Sequence, residues 1–158
     1  TSRKPDMPDT AGRSSLIVDE RTLVRSTPIA LAWGEMDAFG HANNVAYFRW
    51  LETARMHYLR SIGISHPDQQ EGVGLLLAET RCRFLRALTF PDQLTVACGV
   101  SDVGNSSFTM VYRITSQRDG LAAEADSVQV MFDYHNNTKI RIPAAIREAI
   151  QSAQQPAP

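Results

Sequence analysis

The longest regular pattern in the chain begins at Asn44, where apolar side chains start to recur at intervals of three and four residues. Positions with this period share one face of an α-helix, and Gly63 supplies a typical helix stop. The pattern therefore predicts a helix over 43–62. Further apolar side chains lie off this stripe, which indicates that the rest of the chain wraps around the helix: Tyr47, Trp50, Ala54 and Tyr58.

Downstream of the helix, apolar and polar side chains alternate with a period of two, which is typical of β-strands. Four such segments occur, over 76–84, 94–100, 108–114 and 128–134. Residues that favour turns separate them, at Pro91-Asp92, Gly104-Asn105 and Asp119-Gly120. The spacing therefore predicts four long strands that pair as an antiparallel meander.

Two shorter elements flank this region. Residues 27–33 form an apolar run that predicts a first strand, and Pro28 restricts that strand to a sheet edge or to its own first position. A short last helix is predicted to begin near Pro143 and to run through Ile146 and Ile150. One strand, a long helix and four strands make an α+β domain in which the sheet curls around the helix.

The sheet has two edges, and pairing between two copies of the chain would cover one of them, which favours a dimer. Residues 1–21 mix Pro, Gly, Ser and both signs of charge, so we expect a disordered tail there. A single domain is then expected over 22–153, followed by a flexible end over 154–158.

Composition and charge exclude several classes of partner. The 158 residues carry 16 Lys and Arg against 17 Asp and Glu, a net charge of −1, so no positive field draws the chain to nucleic acid. Uncharged stretches are too short to cross a bilayer, so no membrane insertion is expected. Cys82 and Cys98 lack the spacing of a metal site, and the composition of the first residues leads us to expect no secretion signal. We therefore expect a cytoplasmic protein with reduced thiols and no bound metal.

The segment between the first strand and the helix is rich in residue types that occur in catalytic sites. Asp37 precedes Gly40, which allows a substrate to approach the backbone closely. Asn43 and Asn44 stand where the helix begins, and its first N–H groups lack partners within the helix. A carboxylate aimed at a carbonyl, whose oxygen is polarised by a helix N-terminus, suits acyl transfer or hydrolysis.

These residues belong to a longer spaced pattern, D-x-x-G-H-x-N-N-x-x-Y-x-x-x-x-E-x-x-R, which runs from Asp37 to Arg55. The pattern resembles the signature of hot-dog-fold acyl-CoA thioesterases of the 4-hydroxybenzoyl-CoA thioesterase-like family, and the resemblance covers residues 27–135. It implies a five-stranded antiparallel sheet around a central helix. It also implies an acyl-CoA substrate in a crevice between two subunits of a homodimer or of a dimer of dimers.

The resemblance further implies roles for individual residues. Asp37 matches the catalytic carboxylate, as nucleophile or as general base, and the backbone N–H of Asn44 polarises the carbonyl, with Gly40 and His41 beside them. Coenzyme A (CoA) enters as part of the substrate, and no cofactor is required. The residues expected to bind the substrate are Asn43, Tyr47, Arg81, Arg83, Ser106 and Ser107.

Two positions depart from the family pattern. Glu35 stands where many relatives have Asp, and we interpret it as a supporting acid. The hairpin at 104–107 has the small hydroxyl residues typical of relatives but no Lys or Arg for the CoA phosphates. A basic run at the first strand after the helix, formed by Arg81, Arg83 and Arg86, is the alternative source of phosphate contacts.

Simpler interpretations remain for several of these residues. Asp37 could be a turn residue, and His41 is expected to position the loop rather than to act as a base. Glu52 and Arg55 are three residues apart on the helix, where an ion pair is the default. The aromatic residues Tyr47, Trp50 and Tyr58 suit a core or an interface better than an acyl pocket.

Two other functions compete with thioester hydrolysis. A hot-dog hydratase or dehydratase would need an acid and a histidine that converge on the substrate, and His41 lies four residues from Asp37. A non-catalytic protein would bind an acyl thioester without releasing a thiol. The sequence leaves open the identity of the acyl group and whether CoA or an acyl carrier protein carries it.

Overall fold

The computed structural model describes residues 16–65 and 72–156. The two helices are α1 (Asn44–Ser61) and α2 (Ala144–Gln154), and short 3-10 turns lie at Glu20–Thr22 and Trp33–Glu35. The strands are β1 (Arg25–Ala30), β2 (Val73–Phe84), β3 (Gln93–Val103), β4 (Ser107–Ser116), β5 (Gly120–Asp133) and β6 (Thr138–Lys139). The helix predicted over 43–62, the last helix and the existence of all five strands are confirmed, but β1 ends at Ala30 instead of reaching 33, and β5 begins at Gly120 instead of near 128. The strand β6 adds two residues to the sheet.

The strands pair in the order β1-β3-β4-β5-β2, with every neighbouring pair antiparallel. The predicted four-stranded meander is therefore wrong for β2, which pairs with β5 at the far edge and not with β3. The connection over 85–92 crosses the end of the sheet, held by the buried side chain of Leu88. Alternation of side chains assigns the two faces of a strand but not the strand with which it pairs, so the crossing connection could not be predicted from the sequence.

Helix α1 begins and ends where its sequence dictates. The Asn43 side chain caps the first turn, because its Oδ1 accepts the Val45 N–H at 3.1 Å. At the other end, Gly63 has a φ of +86°, a conformation that glycine adopts without strain. The helix lies on the inner face of the sheet, and its largest fully buried side chains are Tyr58 and Leu51.

The inner face of the sheet supplies the other half of the core. Alternate residues of the central strands are buried against α1, including Val96, Cys98, Met110, Tyr112, Ile114, Ala123 and Ala125. A polar chain lies within this core: Arg55 donates to the Tyr112 hydroxyl at 3.3 Å, and Tyr112 contacts the Ser127 hydroxyl at 2.6 Å. Gln129 extends the chain by donating to Ser127.

The expected ion pair between Glu52 and Arg55 is absent from the part of the chain that the structure describes. Arg55 is only 7% exposed because its side chain runs beneath the helix to Tyr112. Glu52 is exposed. Spacing along a helix brings two side chains to the same side, but here the sheet offers Arg55 a different partner.

The two sheet edges differ in character. Edge strand β1 contains Pro28, as the sequence predicts. The opposite edge is the long strand β2, where Leu76 and Leu77 are each 43% exposed. A long edge with exposed leucines is a template for pairing with another chain.

The ends of the domain lie further out than expected. Residues 1–15 and 157–158 fall outside the described residues. However, Val18 is 7% exposed and packs into the fold, so residues 16–21 are not a tail. Gln154 accepts hydrogen bonds from the Tyr58 hydroxyl and the Val100 N–H and donates to Thr22 O, so the expected flexible end does not include it. Within the described residues, neither helix is long and apolar enough to cross a membrane.

Candidate active site

The loop that carries Asp37 is a small hairpin at the start of α1. The Asp37 N–H donates to His41 O at 2.8 Å, and the Gly40 N–H donates to Asp37 O at 3.1 Å. Gly40 has a φ of +78°, which an L-residue adopts only with strain. The two chain segments also pair at Met36 and Ala42, so the tip of the loop is held close to the helix N-terminus.

Only one of the two carboxylate oxygens of Asp37 accepts a hydrogen bond from the described residues. Its Oδ1 accepts the Phe39 N–H at 2.9 Å, which is the turn role considered above. No donor among the described residues reaches Oδ2. The carboxylate is exposed, and the turn that its first oxygen makes fixes the direction of the second. Asp37 therefore holds the turn with one oxygen and leaves the other without a donor among the described residues.

A cavity of about 290 Å³ joins this carboxylate to the helix N-terminus. Four residues expected at the site line it together: Asp37, His41, Asn44 and Tyr47. No acceptor in the described part of the chain binds the Asn44 N–H, which lies in the first turn of α1. Free amides at a helix N-terminus and the helix dipole both favour negative charge on a bound oxygen.

Tyr47 forms one wall of the cavity. Its ring packs edge-on against Phe84 with centroids 4.8 Å apart, and it also contacts Trp50 at 4.9 Å. Burial raises the pKa of the Tyr47 phenol to about 12, so the hydroxyl stays protonated near neutral pH. Its O–H points to Arg86 O at 3.5 Å. Tyr47 is both a core aromatic and a cavity residue, while Trp50 and Tyr58 are buried, as expected.

Arg81 and Arg83 do not reach this cavity. They lie on the sheet face opposite α1, where Arg81 forms a bidentate ion pair with Asp126 and Arg83 pairs with Glu124 at 2.9 Å. The Asp126 carboxylate raises the pKa of Arg81 above its usual value. The cation that does line the cavity is Arg86, and among the described residues it has no ion-pair partner.

Ser106 and Ser107 also lie far from Asp37 in the same subunit. Ser107 pairs with Val130, whereas the cavity end of β5 is at Ala122, whose carbonyl binds the Arg86 N–H. Eight residues of strand separate the two positions, or about 26 Å at 3.3 Å per residue. One subunit alone therefore does not bring the hairpin serines to the carboxylate.

The hairpin does carry a cation that the sequence pattern did not reveal. Arg147 of α2 donates to Gly104 O at 2.9 Å, and it lines a cavity of about 380 Å³ together with Arg141. Both arginines follow the hairpin by more than thirty residues in the sequence. Proximity of this kind depends on how the last helix packs, so no local motif signals it.

Glu35 has a defined place beside the loop that carries Asp37. Its Oε1 accepts the Ala32 N–H at 2.8 Å, and its Oε2 accepts the indole N–H of Trp50 at 2.9 Å. It faces a separate cavity of about 150 Å³ and does not line the one that contains Asp37. Nowhere in residues 16–65 and 72–156 do three or more His, Cys, Asp or Glu side chains gather closely enough to hold a metal ion.

The chain is similar in sequence to several known proteins. Residues 31–150 match the sequence pattern of the thioesterase-like superfamily. The chain is 30% identical over 84 residues to a protein named YsmA from Bacillus subtilis (strain 168), which covers 53% of this chain and 56% of that protein. It is 28% identical to the acyl-acyl carrier protein thioesterase ATL3 of Arabidopsis thaliana, over 72% of this chain and 60% of the plant enzyme. The chain thus spans less than two thirds of either relative.

Among solved structures, a thioesterase from Thermus thermophilus, complexed with coenzyme A and Zn, is similar over nearly the whole domain. It superposes with a TM-score of 0.75 at 25% identity, covering 86% of this chain and 98% of the Thermus chain. The curled antiparallel sheet around α1 is therefore the hot-dog fold, as the sequence resemblance implied.

Proposed function

Because the chain belongs to the thioesterase-like superfamily, we propose that it hydrolyses an acyl-CoA thioester to a carboxylic acid and free CoA. The observation that carries the proposal is the cavity lined by both Asp37, which keeps one carboxylate oxygen free of the turn, and Asn44 in the first turn of α1. A carboxylate and an oxyanion-binding amide in one cavity are the two groups that thioester cleavage requires.

In the proposed reaction, the thioester carbonyl lies at the start of α1. Its oxygen gains negative charge as the carbon is attacked, and the Asn44 N–H and the helix dipole stabilise that charge. Asp37 either attacks the carbon itself or removes a proton from the attacking water. A water oxygen ends on the acyl carbon, the C–S bond breaks, and the proton leaves with the CoA thiol.

No resident cofactor or metal has a part in this scheme. His41 lines the cavity, and its backbone carbonyl binds Asp37 N–H, so the proposal assigns it to positioning of the loop. A cytoplasmic location suits the proposal, since Cys82 and Cys98 are both free thiols.

The proposed active unit is a homodimer formed through the edge of β2. A two-fold axis that pairs β2 with β2 of a second copy places the Phe84 end of one strand beside the Val73 end of the other. The Val73 end of β2 and the hairpin at 104–107 lie at the same end of the sheet, because both pair with the last residues of β5. Pairing therefore brings Ser106 and Ser107 of one subunit towards the Asp37 cavity of the other, and a dimer of dimers would contain the same shared sites.

The same pairing supplies cations for the CoA phosphates. Arg86 is already at the cavity, and Arg141 and Arg147 of the second copy arrive with its hairpin. Arg81 and Arg83 contribute less to binding in this scheme, because Asp126 and Glu124 already compensate their charges. An acyl carrier protein remains the second candidate for the thioester carrier, in view of the name of the plant relative.

The test is a panel of short, long, branched and aromatic acyl-CoAs, with each acyl group offered also on an acyl carrier protein. Free thiol is measured with a chromogenic thiol reagent and the acid by mass spectrometry. The proposal expects equal amounts of thiol and acid from at least one acyl-CoA. Tight binding without thiol release would identify a non-catalytic binding protein, and a product with water added to the acyl chain would identify a hydratase. Thiol release only from the acyl carrier protein substrates would show that the carrier protein, and not CoA, carries the acyl group.

A further inference from the structure

The Glu35 side chain joins two elements that the catalytic loop separates. Its Oε1 caps the 3-10 turn before the loop through the Ala32 N–H, and its Oε2 binds the indole N–H of Trp50 in the second turn of α1. Trp50 is only 3% exposed and cannot exchange this partner for bulk water. A buried indole N–H needs an acceptor, and Glu35 provides one.

The backbone of Glu35 adds a third connection. Its carbonyl accepts the Asn43 N–H at 2.8 Å. This hydrogen bond closes the base of the hairpin, and the bond from Asp37 N–H to His41 O lies nearer the tip. Asn43 is also the cap of α1. Glu35 therefore fixes the base of the loop to the same helix end that presents the Asn44 N–H.

A direct chemical role for Glu35 conflicts with its surroundings. Both of its carboxylate oxygens already accept hydrogen bonds, whereas Asp37 keeps one oxygen free. Glu35 lines the smaller cavity with Gly34 and Arg49 and is absent from the lining of the larger one. It lies next to the machinery without reaching the place where the thioester carbon would lie.

We propose that Glu35 is a positioning residue that, through its hydrogen bond to Trp50, sets the place of the Asp37 carboxylate relative to the Asn44 N–H. This inference rests on the proposed thioesterase function. Reacting groups must be held to a fraction of an ångström, and a displacement of about 1 Å costs about a hundredfold in rate. Loosening one hydrogen bond at the loop base produces part of that displacement.

The kinetic test uses Glu35→Gln, Trp50→Phe and the double variant, assayed with the best acyl-CoA from the panel. Each single variant is expected to lower kcat about tenfold with KM within about twofold, since the loss is confined to alignment in the transition state. The double variant should lose no more than about the larger single loss, because both changes break the same contact. Losses that multiply in the double variant would overturn the proposal.

The pH dependence separates positioning from acid–base chemistry. If Glu35 only positions the loop, Glu35→Gln lowers kcat/KM by the same factor at every pH and leaves the shape of the profile unchanged. Disappearance of one limb of the profile would make Glu35 a proton carrier and contradict the proposal. Tyr58→Phe is the matched control, because it removes another buried hydrogen bond of α1, to Gln154, and should lower Tm while leaving kcat unchanged.

A spectroscopic readout keeps the contact testable if no acyl-CoA is hydrolysed. The chain has two tryptophans, of which Trp33 is 71% exposed and Trp50 is buried, so two indole N–H signals are expected in a ¹⁵N NMR spectrum. In Glu35→Gln, the Trp50 signal should move and its hydrogen exchange should accelerate. An unchanged Trp50 signal would refute the contact, while a shifted signal without any thiol release would refute the proposed function only.

Discussion

Asp37 and Asn44 line one cavity because the loop between them turns back on itself. The turn depends on Gly40, whose positive φ allows Asp37 N–H to meet His41 O. Asn43, the cap of α1, follows this turn, so the first helical residue, Asn44, lies against the same cavity. The carboxylate and the amide are thus placed by local backbone geometry rather than by distant packing.

The first prediction concerns this turn. Gly40→Ala adds a methyl group that meets nothing within 4 Å, so its cost is backbone strain alone, about 1–2 kcal/mol. We expect a Tm lower by several degrees and a kcat lower by about tenfold, because the loop relaxes away from the helix. Gly34→Ala is the control, since it also enters open space but has no positive φ. Equal behaviour of the two variants in thermal unfolding and turnover would contradict the role assigned to Gly40.

The second prediction concerns the edge of β2. Leu77→Lys places a charge on the exposed inner side of this strand, where the proposed dimer would bury it. Light scattering should show the wild type at twice the 17.5 kDa mass of the monomer and the variant at the monomer mass, with activity lost in parallel. Leu121→Lys, at an exposed leucine outside β2, should leave both unchanged. A Leu77→Lys protein that stays dimeric would show that the dimer interface is not at the edge of β2.

The third prediction concerns alkaline pH. Burial raises the pKa of the Cys82 and Cys98 thiols to about 12, above the value of about 8.5 in an unfolded chain. The stability linked to these thiols is therefore complete below pH 8.5 and is lost as the pH rises towards 12. The free energy of unfolding in urea should fall between pH 8 and pH 10.5, and less steeply in a Cys82→Ala variant. A stability that rises over this interval would contradict the prediction.

The sequence predicted the parts of the fold that local chemistry determines. The three-and-four spacing after Asn44 and the stop at Gly63 located α1 within a residue at each end. Four residues of the spaced pattern, Asp37, His41, Asn44 and Tyr47, line one cavity, because they lie on one hairpin and on the first turn of the helix that follows it.

The contacts that the sequence did not predict join residues that are distant along the chain. The charge of Arg81 suggested a phosphate contact, but Asp126 lies directly opposite in the register between β2 and β5. That register could not be read from the alternating pattern. The hydrogen bond between Glu35 and Trp50 was hidden as well, since Trp50 is fifteen residues away on α1 and looked like an ordinary core aromatic.

The most direct test of the central claim is the turnover of Asp37→Asn on the preferred acyl-CoA. The substitution keeps the size of the side chain and an oxygen that can accept the Phe39 N–H, but it removes the negative charge and the basicity. Asp19→Asn is the control, because it changes an exposed carboxylate at the first 3-10 turn.

We expect a kcat lower by a factor of about 10²–10⁴ in Asp37→Asn, with KM within a few-fold and Tm nearly unchanged. Asp19→Asn should turn over at the wild-type rate. Thiol release by Asp37→Asn at close to the wild-type rate would contradict the account and direct the search for the base to His41.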